Sequence, residues 1–445
     1  MIDERHIAAF KRWNDPVIRD LSSEHRREVN KVVAKVSSGK STIVIGPRGV
    51  GKSSILNDVS ITLEKAGKKT CTIDLDDPSS AGITTENILE LLEIEGFFRA
   101  DGEKYLVVHE LRRLLEFEKL VNILKKNEIF TTASVSASVD SARLFPEHFE
   151  LVDVNFPSFP DYINKITDKT VDIQNSREFF DGYIRFKYKN YKQIRRYRAI
   201  DTIVRTLNDI VFFNEVRDFR ILNDISVYLV SSPAKEISAT SLRRRFSCSI
   251  DMMRALLSHI EGSGLVSLVK RIEDRERPSQ ASRLCIPNDI VMSLEFGASD
   301  DAHSLALVAV YRELKKIYDR VYSIKIKDLL GFCLHEKTGP VPIFSLFVSY
   351  PYGFERIFPE IRMAAARLGQ SKIIVLSADD EPHDETIKGC VLHVRPIWSW
   401  ALMPMAEVLP TDIKVHKQNA QVPNKKISDG SGSPPANDSM PSHLL

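Results

Sequence analysis

Apolar positions along the first 156 residues alternate between two periods. Val17, Leu21, Val29, Val32, Val33 and Val36 recur near one face of a helix within residues 1–38, which Ser37, Ser38 and Gly39 close. The β-branched run STIVI (41–45) is too short for a helix and reads as a buried strand. A helix is predicted from about Lys52 to Lys65, stopped by Gly67. KTCTIDLDDP then reads as a strand ending in acids, TENILELLEIEGFF as a helix capped by Thr85, and KYLVVHE as a third strand. LRRLLEFEKLVNILKKN is an amphipathic helix, and EIFTTASVS and FELVDVNF supply a fourth and fifth strand. Strands alternating with helical segments predict a parallel sheet with crossover helices.

Beyond Pro157 the pattern turns helical and basic to about Asp224, and Ile225 to Ser293 reads as a helix-and-hairpin unit. After FGASDD an α/β pattern resumes: HSLALVAVYRELKKIY is a helix, VPIFSLFVSY a strand, FPEIRMAAARLG a helix, and SKIIVLSA and GCVLHVRPI strands. The segment 411–445 has few apolar residues and much Ser, Pro, Asn and Gly, the composition of a disordered tail.

Composition narrows this little. A length of 445 residues predicts two to four domains at about 100–200 residues each. The apolar and charged fractions are those of an ordinary globular protein. A net charge of +2 gives no global field toward nucleic acid or membrane, so any basic surface is local. The five cysteines are scattered and form no CxxC pair, which argues against a disulfide framework or zinc site and for a reducing cytoplasm. MIDERHIAAFKRWNDP has no apolar core of leader length, and no run of about 18 apolar residues predicts a membrane span.

The chemistry concentrates between the first strand and the helix after it. Gly46-Pro47-Arg48-Gly49-Val50-Gly51-Lys52-Ser53 fits the phosphate-loop pattern GxxxxGK(S/T) at every fixed position. A chain of this length would match by accident roughly one time in a hundred. Glycines permit close backbone approach, and the amides at the positive end of the helix surround a phosphate. The expected nucleotide-binding residues are Gly46, Pro47, Arg48, Gly49, Val50, Gly51, Lys52, Ser53 and Ser54, with ATP and Mg²⁺ as ligands. Lys52 is placed to reach the β- and γ-phosphates, and the Ser53 hydroxyl to ligate Mg²⁺. The plain alternative is a Gly-rich turn without a ligand. For Arg48 a solvated loop charge is favoured over nucleotide contact.

The strand Leu106-Val107-Val108 should end in an aspartate that holds the magnesium shell, followed by a glutamate that polarises water. His109 stands in the aspartate's place, and Glu110 follows it. Mg²⁺ prefers oxygen ligands, so imidazole is a poor substitute. Three outcomes fit: Glu110 does both jobs at reduced rate, Asp74, Asp76 or Asp77 supplies the carboxylate, or ATP is bound and turned over very slowly. Lys52 and Glu110 are the expected catalytic residues. Thr132 or Ser134 is a candidate γ-phosphate sensor as well as an ordinary strand-end hydrogen-bonder, and Arg143 is a weak arginine-finger candidate.

Together these residues resemble the prokaryotic AAA-superfamily predicted ATPases that carry a winged-helix segment and a C-terminal restriction-nuclease-like domain. The resemblance runs from about residue 27 to 402: Arg27, TIVIGPRGVGKSSIL, TIDLDD, YLVVHE, FTTASVS, LVDVNFPSFPDY, TLNDI and VRPIWSWAL. It implies ATP binding and an AAA-like parallel sheet followed by helical and smaller α/β units. The implied organisation is a P-loop core with its N-terminal helix (1–156), a helical lid (157–224), a winged-helix-like unit (225–295), a nuclease-like α/β unit (300–410) and the tail. The chain departs from the family at His109. It departs again in SLFVSY, where Phe347 and Ser349 stand in place of the charged pair that a metal-dependent nuclease needs, so the last unit is expected to be inactive. Glu313 and Asp328 read as surface charges.

Within 234–272, helices are predicted near Ala239–Phe246 and Ile250–Ile260, the second capped by Ser249 and stopped by Gly262 and Gly264, with LVSLVKRI and SRLCIP as a hairpin. Met252, Leu256, Leu257 and Ile260 form its expected core face. Arg243, Arg244, Arg245, Arg254, Lys270 and Arg271 are candidate DNA-phosphate contacts, and equally an ordinary solvated surface. YIRFKYKNYKQIRRYR (183–198) suits nucleic acid through stacking and charge, but better a helical lid packed on the ATPase core. The functional expectation is an ATP-binding switch with weak or slow hydrolysis, coupled to a protein partner or DNA. The alternative is a winged-helix DNA-binding regulator, or a defence or mobile-element component, with structural ATP. No motif sets the oligomeric state.

Overall fold

A computed structural model describes residues 3–14, 26–137, 149–156, 158–166, 176–185, 189–272, 282–297, 301–318, 320–334, 344–370, 372–379 and 381–402. The first unit comprises helices α1 (Glu4–Trp13) and α2 (Arg26–Ser37), strand β1 (Thr42–Gly46), α3 (Lys52–Lys65), β2 (Lys69–Asp74), α4 (Thr85–Ile94), β3 (Lys104–His109), α5 (Phe117–Lys126), β4 (Ile129–Ser136) and β5 (Glu150–Asp153). Its five strands are parallel in the order β2-β3-β4-β1-β5. A parallel sheet covered on both faces needs strands apolar throughout, and alternate residues of β1 feed two cores: Ile43 and Ile45 on one side, Val44 on the other. This is the α/β parallel sheet with crossover helices that the sequence predicts, carrying the phosphate-loop pattern between β1 and α3. Two helices, not one, precede β1, and Val17 and Leu21 lie outside the described residues. The cap of α4 is Thr84, one residue before the expected Thr85: its hydroxyl accepts from Asn87 N at 3.3 Å, while Thr85 is buried.

Helices α6 (Phe159–Ile166), α7 (Ser176–Arg185), α8 (Lys189–Asn214) and α9 (Phe219–Val230) follow. Next come β6 (Lys235–Ile237), α10 (Ala239–Arg245), α11 (Ile250–Gly262), β7 (Val266–Lys270), β8 (Arg283–Pro287) and α12 (Ile290–Glu295), the strands forming an antiparallel sheet β6-β8-β7. Ser249 caps α11 as expected, accepting from Met252 N at 3.1 Å. The core face of α11 runs through Met253, Leu256, Leu257 and Ile260, and Met252 is only partly buried. Position 253, not 252, continues the 3.6-residue stripe through 257 and 260.

The last unit comprises α13 (Ala302–Ile317), β9 (Tyr322–Ile326), β10 (Leu329–Leu334), β11 (Phe344–Val348), α14 (Phe358–Leu368), β12 (Lys372–Ser377), β13 (His383–Ile387), β14 (Cys390–Pro396) and α15 (Ile397–Leu402). Its mixed sheet runs β13-β14-β12-β11-β10-β9, with β11, β12 and β14 parallel. Strands β9, β10 and β13 were not expected from the sequence.

The stretch read as one helical lid contributes to two cores. Residues of α6 and α7 pack with α13, α15 and the mixed sheet, whereas α8 and α9 pack with α2, α3 and α11. Tyr183, expected in a lid on the ATPase core, packs against Phe159 and Tyr162 in the C-terminal core; Phe186 lies outside the described residues. The same holds for the segment 411–445 and for Arg143. Among the described residues no helix is long and apolar enough to cross a membrane.

Candidate functional site

The site sits where β1, β3 and β4 end. Gly46 closes β1, and a Cβ there would lie 2.0 Å from the Val154 carbonyl oxygen, so the backbones meet as only glycine allows. The loop turns through Gly49 and Gly51, at φ 84° and 97°, into α3. No side chain caps this helix, which leaves its first amides available to an anion. Ser53 is exposed on the first turn. These features fit a polyphosphate: a glycine bend, an uncapped helix start, a lysine and a hydroxyl.

Lys52 is buried. Its Nζ donates to Gly46 O at 3.0 Å, Pro47 O at 2.9 Å and Ser136 Oγ at 2.9 Å. Ser136 is the end of β4, brought there by the register that pairs it with Gly46. Its hydroxyl donates to Glu110 Oε1 at 2.6 Å and its amide to Glu110 Oε2 at 2.9 Å. Glu110, at φ 53°, thus lies 3.8 Å from the Lys52 ammonium. Burial pushes the Lys52 pKa down, opposed by Glu110 and reinforced by Arg48. Burial also pushes the Glu110 carboxyl up, but Lys52, Arg48 and the Ser136 hydrogen bond outweigh it and hold the group below its ordinary value. The candidate sensors Thr132 and Ser134 are buried deeper in β4, where Ser134 Oγ accepts from Glu110 N at 3.1 Å. Ser136 occupies the position beside Lys52, a residue that the sequence reading passed over although strand pairing with β1 points to it.

His109 ends β3 in register with Asp74 of β2. Of the acids considered as substitutes, Asp77 caps a turn and binds Arg12 and Trp13, and Asp76 is held by Arg48, Arg113 and Arg205. Asp74 alone of the three is placed opposite His109; Asp74 Oδ1 accepts from Asp76 N at 2.9 Å.

Arg48 is not a solvated loop charge. It is 7% exposed, and its guanidinium forks onto two carboxylates: NH1 and NH2 donate to Asp76 at 2.8 and 3.1 Å, and Nε and NH2 donate to Asp209 of α8, the latter at 3.0 Å. Burial opposes the charge, yet Asp209, Glu110 and Asp76 more than offset it and raise its pKa. Arg113 joins the same pair, 2.7 Å from Asp209 and 3.2 Å from Asp76, and Arg205 reaches Asp76 at 3.0 Å. Arg112 stacks on Phe213 of α8 at 4.3 Å. A hydrophilic partner 161 residues away leaves no local sequence signal, so Asp209 was not foreseen.

Of the candidate phosphate-contacting residues, Arg243, Arg244 and Lys270 are exposed, and Arg245 stacks on Tyr228 at 4.3 Å. Arg254 lies 3.7 Å from Asp251, and Arg271 lies 3.5 Å from Glu236. In the last unit Phe347 and Ser349 are buried, and Ser349 Oγ donates to Gly353 O at 2.8 Å. Asp328 is exposed, but Glu313 is buried, contrary to its reading as a surface charge: α13 is covered on that side by α6 and α7, and Lys316 lies 3.2 Å away.

Residues 38–163 match the AAA domain family. No sequence match is found among curated proteins. Among solved structures the chain is similar to the replication initiator DnaA bound to AMPPCP and single-stranded DNA, at 14% identity over 56% of this chain and 92% of that one, with a TM-score of 0.27. It is similar to AMPPCP-bound DnaA from Aquifex aeolicus, at 16% identity over 54% and 89%, TM-score 0.26. It is also similar to Drosophila ORC bound to DNA, at 11% identity over 60% and 92%, TM-score 0.23.

Proposed function

We propose that the chain binds ATP through residues Gly46 to Ser54 and works as an AAA-type nucleotide switch with weak or slow hydrolysis. The observation that carries this reading is the Lys52–Ser136–Glu110 arrangement. A buried ammonium is satisfied by two loop carbonyls and a hydroxyl, partners that phosphate oxygens can replace. In this reading Lys52 and the first amides of α3 hold the phosphates, and Ser53 holds Mg²⁺, whose chemistry is to neutralise phosphate charge. Glu110 orients the attacking water once Ser136 releases it. His109 leaves the magnesium shell without its carboxylate, so turnover is slow.

A switch needs one arrangement of the molecule to contact the γ-phosphate better than another. We read residues 225–295, where α10, α11 and α12 lie with the sheet β6-β8-β7, as a winged helix whose exposed Arg243, Arg244 and Lys270 offer phosphate contacts, the output being DNA or a protein partner. The mixed-sheet unit is read as nuclease-like in shape without catalysis.

Calorimetry with MgATP tests the binding: micromolar-range heat is expected for the native chain and none for Lys52→Ala, and no heat from ATP or GTP on folded native protein removes the reading. Equal retention of DNA or partner with ATP, ADP and no nucleotide would remove the switch while leaving the binding.

A further inference from the structure

Helix α8 lies directly over the phosphate loop. A Cβ on Gly49 would stand 2.8 Å from Thr202 Oγ1, and one on Gly264, in the turn after α11, would stand 2.9 Å from the Pro47 ring. Pro47, Arg48, Phe156, Thr202, Thr206 and Leu265 line the narrow crevice between them. Thr202 of α8 thus packs directly on the bend of the loop that would cradle a phosphate. What holds α8 there is polar: Arg48 bridges Asp76 on the sheet and Asp209 on the helix, and Arg205 of α8 adds its own contact to Asp76. Both carboxylates face a loop built to receive a polyanion.

We propose that α8 is an autoinhibitory strap over the phosphate loop, latched by Arg48 on Asp76 and Asp209, and that a nucleoside triphosphate binds by opening it, its phosphates taking Arg48 from Asp209. This rests on the ATP-binding reading above. The guanidinium exchanges Asp209 for a phosphate while it keeps Asp76, and is never left unpaired. Binding is weakened by the fraction of molecules in which the strap is open, so loosening the latch tightens binding. Reciprocally, nucleotide loosens α8.

Asp209→Asn keeps the volume of the side chain and removes its charge. Couplings of this kind run from about fivefold to 150-fold. MgATP affinity by calorimetry should therefore rise at least about fivefold in Asp209→Asn, and to a smaller extent in Arg205→Gln, whose exposed side chain makes it the safer variant if Asp209→Asn melts early. In the native chain, non-hydrolysable MgATP analogue should speed amide hydrogen exchange across residues 199–214. Charge removal alone would not produce that exchange. Unchanged affinity in both variants, with native protein binding and Lys52→Ala not, overturns the strap and leaves the ATP reading intact; slower exchange of α8 with nucleotide does the same. If native protein and both variants all fail to bind, the ATP reading falls and the strap with it.

Discussion

At the residue scale, the proposed site turns on His109 and on the Ser136 hydroxyl beside Lys52. Lys52, Ser53 and Glu110 were legible because the phosphate-loop pattern fixes spacing within eight residues and an apolar strand ending in His-Glu marks the other edge. Ser136 and Asp209 were not, because their roles depend on pairings across 84 and 161 residues. Arg48 was misread for the same reason: an arginine in a loop is solvated by default, and only a distant carboxylate makes its burial affordable. In the proposed function the rate of hydrolysis depends on His109. Partners that orient a metal's ligands are worth about 10–100-fold in activity. His109→Asp should therefore raise the rate of phosphate release from MgATP by about tenfold or more, measured in a coupled assay with Lys52→Ala as the blank. An equal or lower rate would show that the histidine does not limit turnover.

At the element scale, legibility followed burial. β1 and β3 are covered on both faces and were read as apolar strands, and β4, equally covered, was read as a strand in spite of its Thr and Ser residues. β13, HDETI, is an exposed edge strand whose side chains give no apolar pattern; it is held by backbone pairing with β14 and by Asp384 against Arg395 and His393. β9, YSIKI, joins β10 through Lys327, whose φ of 54° makes a turn that neither Gly nor Asn announces. The strand-to-helix join at the phosphate loop depends instead on contact between backbones. Gly46→Ala would drive a methyl to 2.0 Å from the Val154 carbonyl, which cannot rotate away, whereas Gly262→Ala at the end of α11 meets nothing within 4 Å. Overpacking costs about 1–3 kcal/mol, while replacing glycine by alanine at an unstrained site gains about 0.4–1 kcal/mol. Urea midpoints should move in opposite directions for the two variants; a neutral Gly46→Ala would mean that β5 and β1 can separate freely.

At the scale of the whole molecule, the small antiparallel sheet joins the two larger units. Along β8, Leu284 and Ile286 enter the C-terminal core while Cys285 enters the core shared by α2, α3, α8 and α11. β7 continues into a bridge from Arg271 to Ser323 of β9, and Lys325 of that strand pairs with Glu236 at 2.5 Å. Side chains of this sheet thus enter both cores, and the C-terminal one also holds a buried charge. Glu313 supplies such a charge: burial raises its pKa above 4.5, against the opposing pull of Lys316 and Arg312. An acid with a raised folded pKa binds its proton more tightly folded than unfolded, so its ionised form costs stability near neutral pH and the cost is relieved as pH falls toward 4.5. The opposite sign holds for Asp76, depressed in spite of burial by Arg48, Arg113 and Arg205, and for Glu150, held at about 2 by Lys35 and Lys40. Their contributions are complete above the ordinary values of 3.8 and 4.5 and are lost as pH falls through the depressed ones. Glu313→Gln should therefore raise the urea midpoint at pH 7 and flatten its pH dependence between neutrality and about pH 4.5, leaving the acid limb unchanged. A variant as pH-sensitive as the native chain across that window would show that Glu313 ionises freely in the fold, and that the cover of α6 and α7 over α13 admits water.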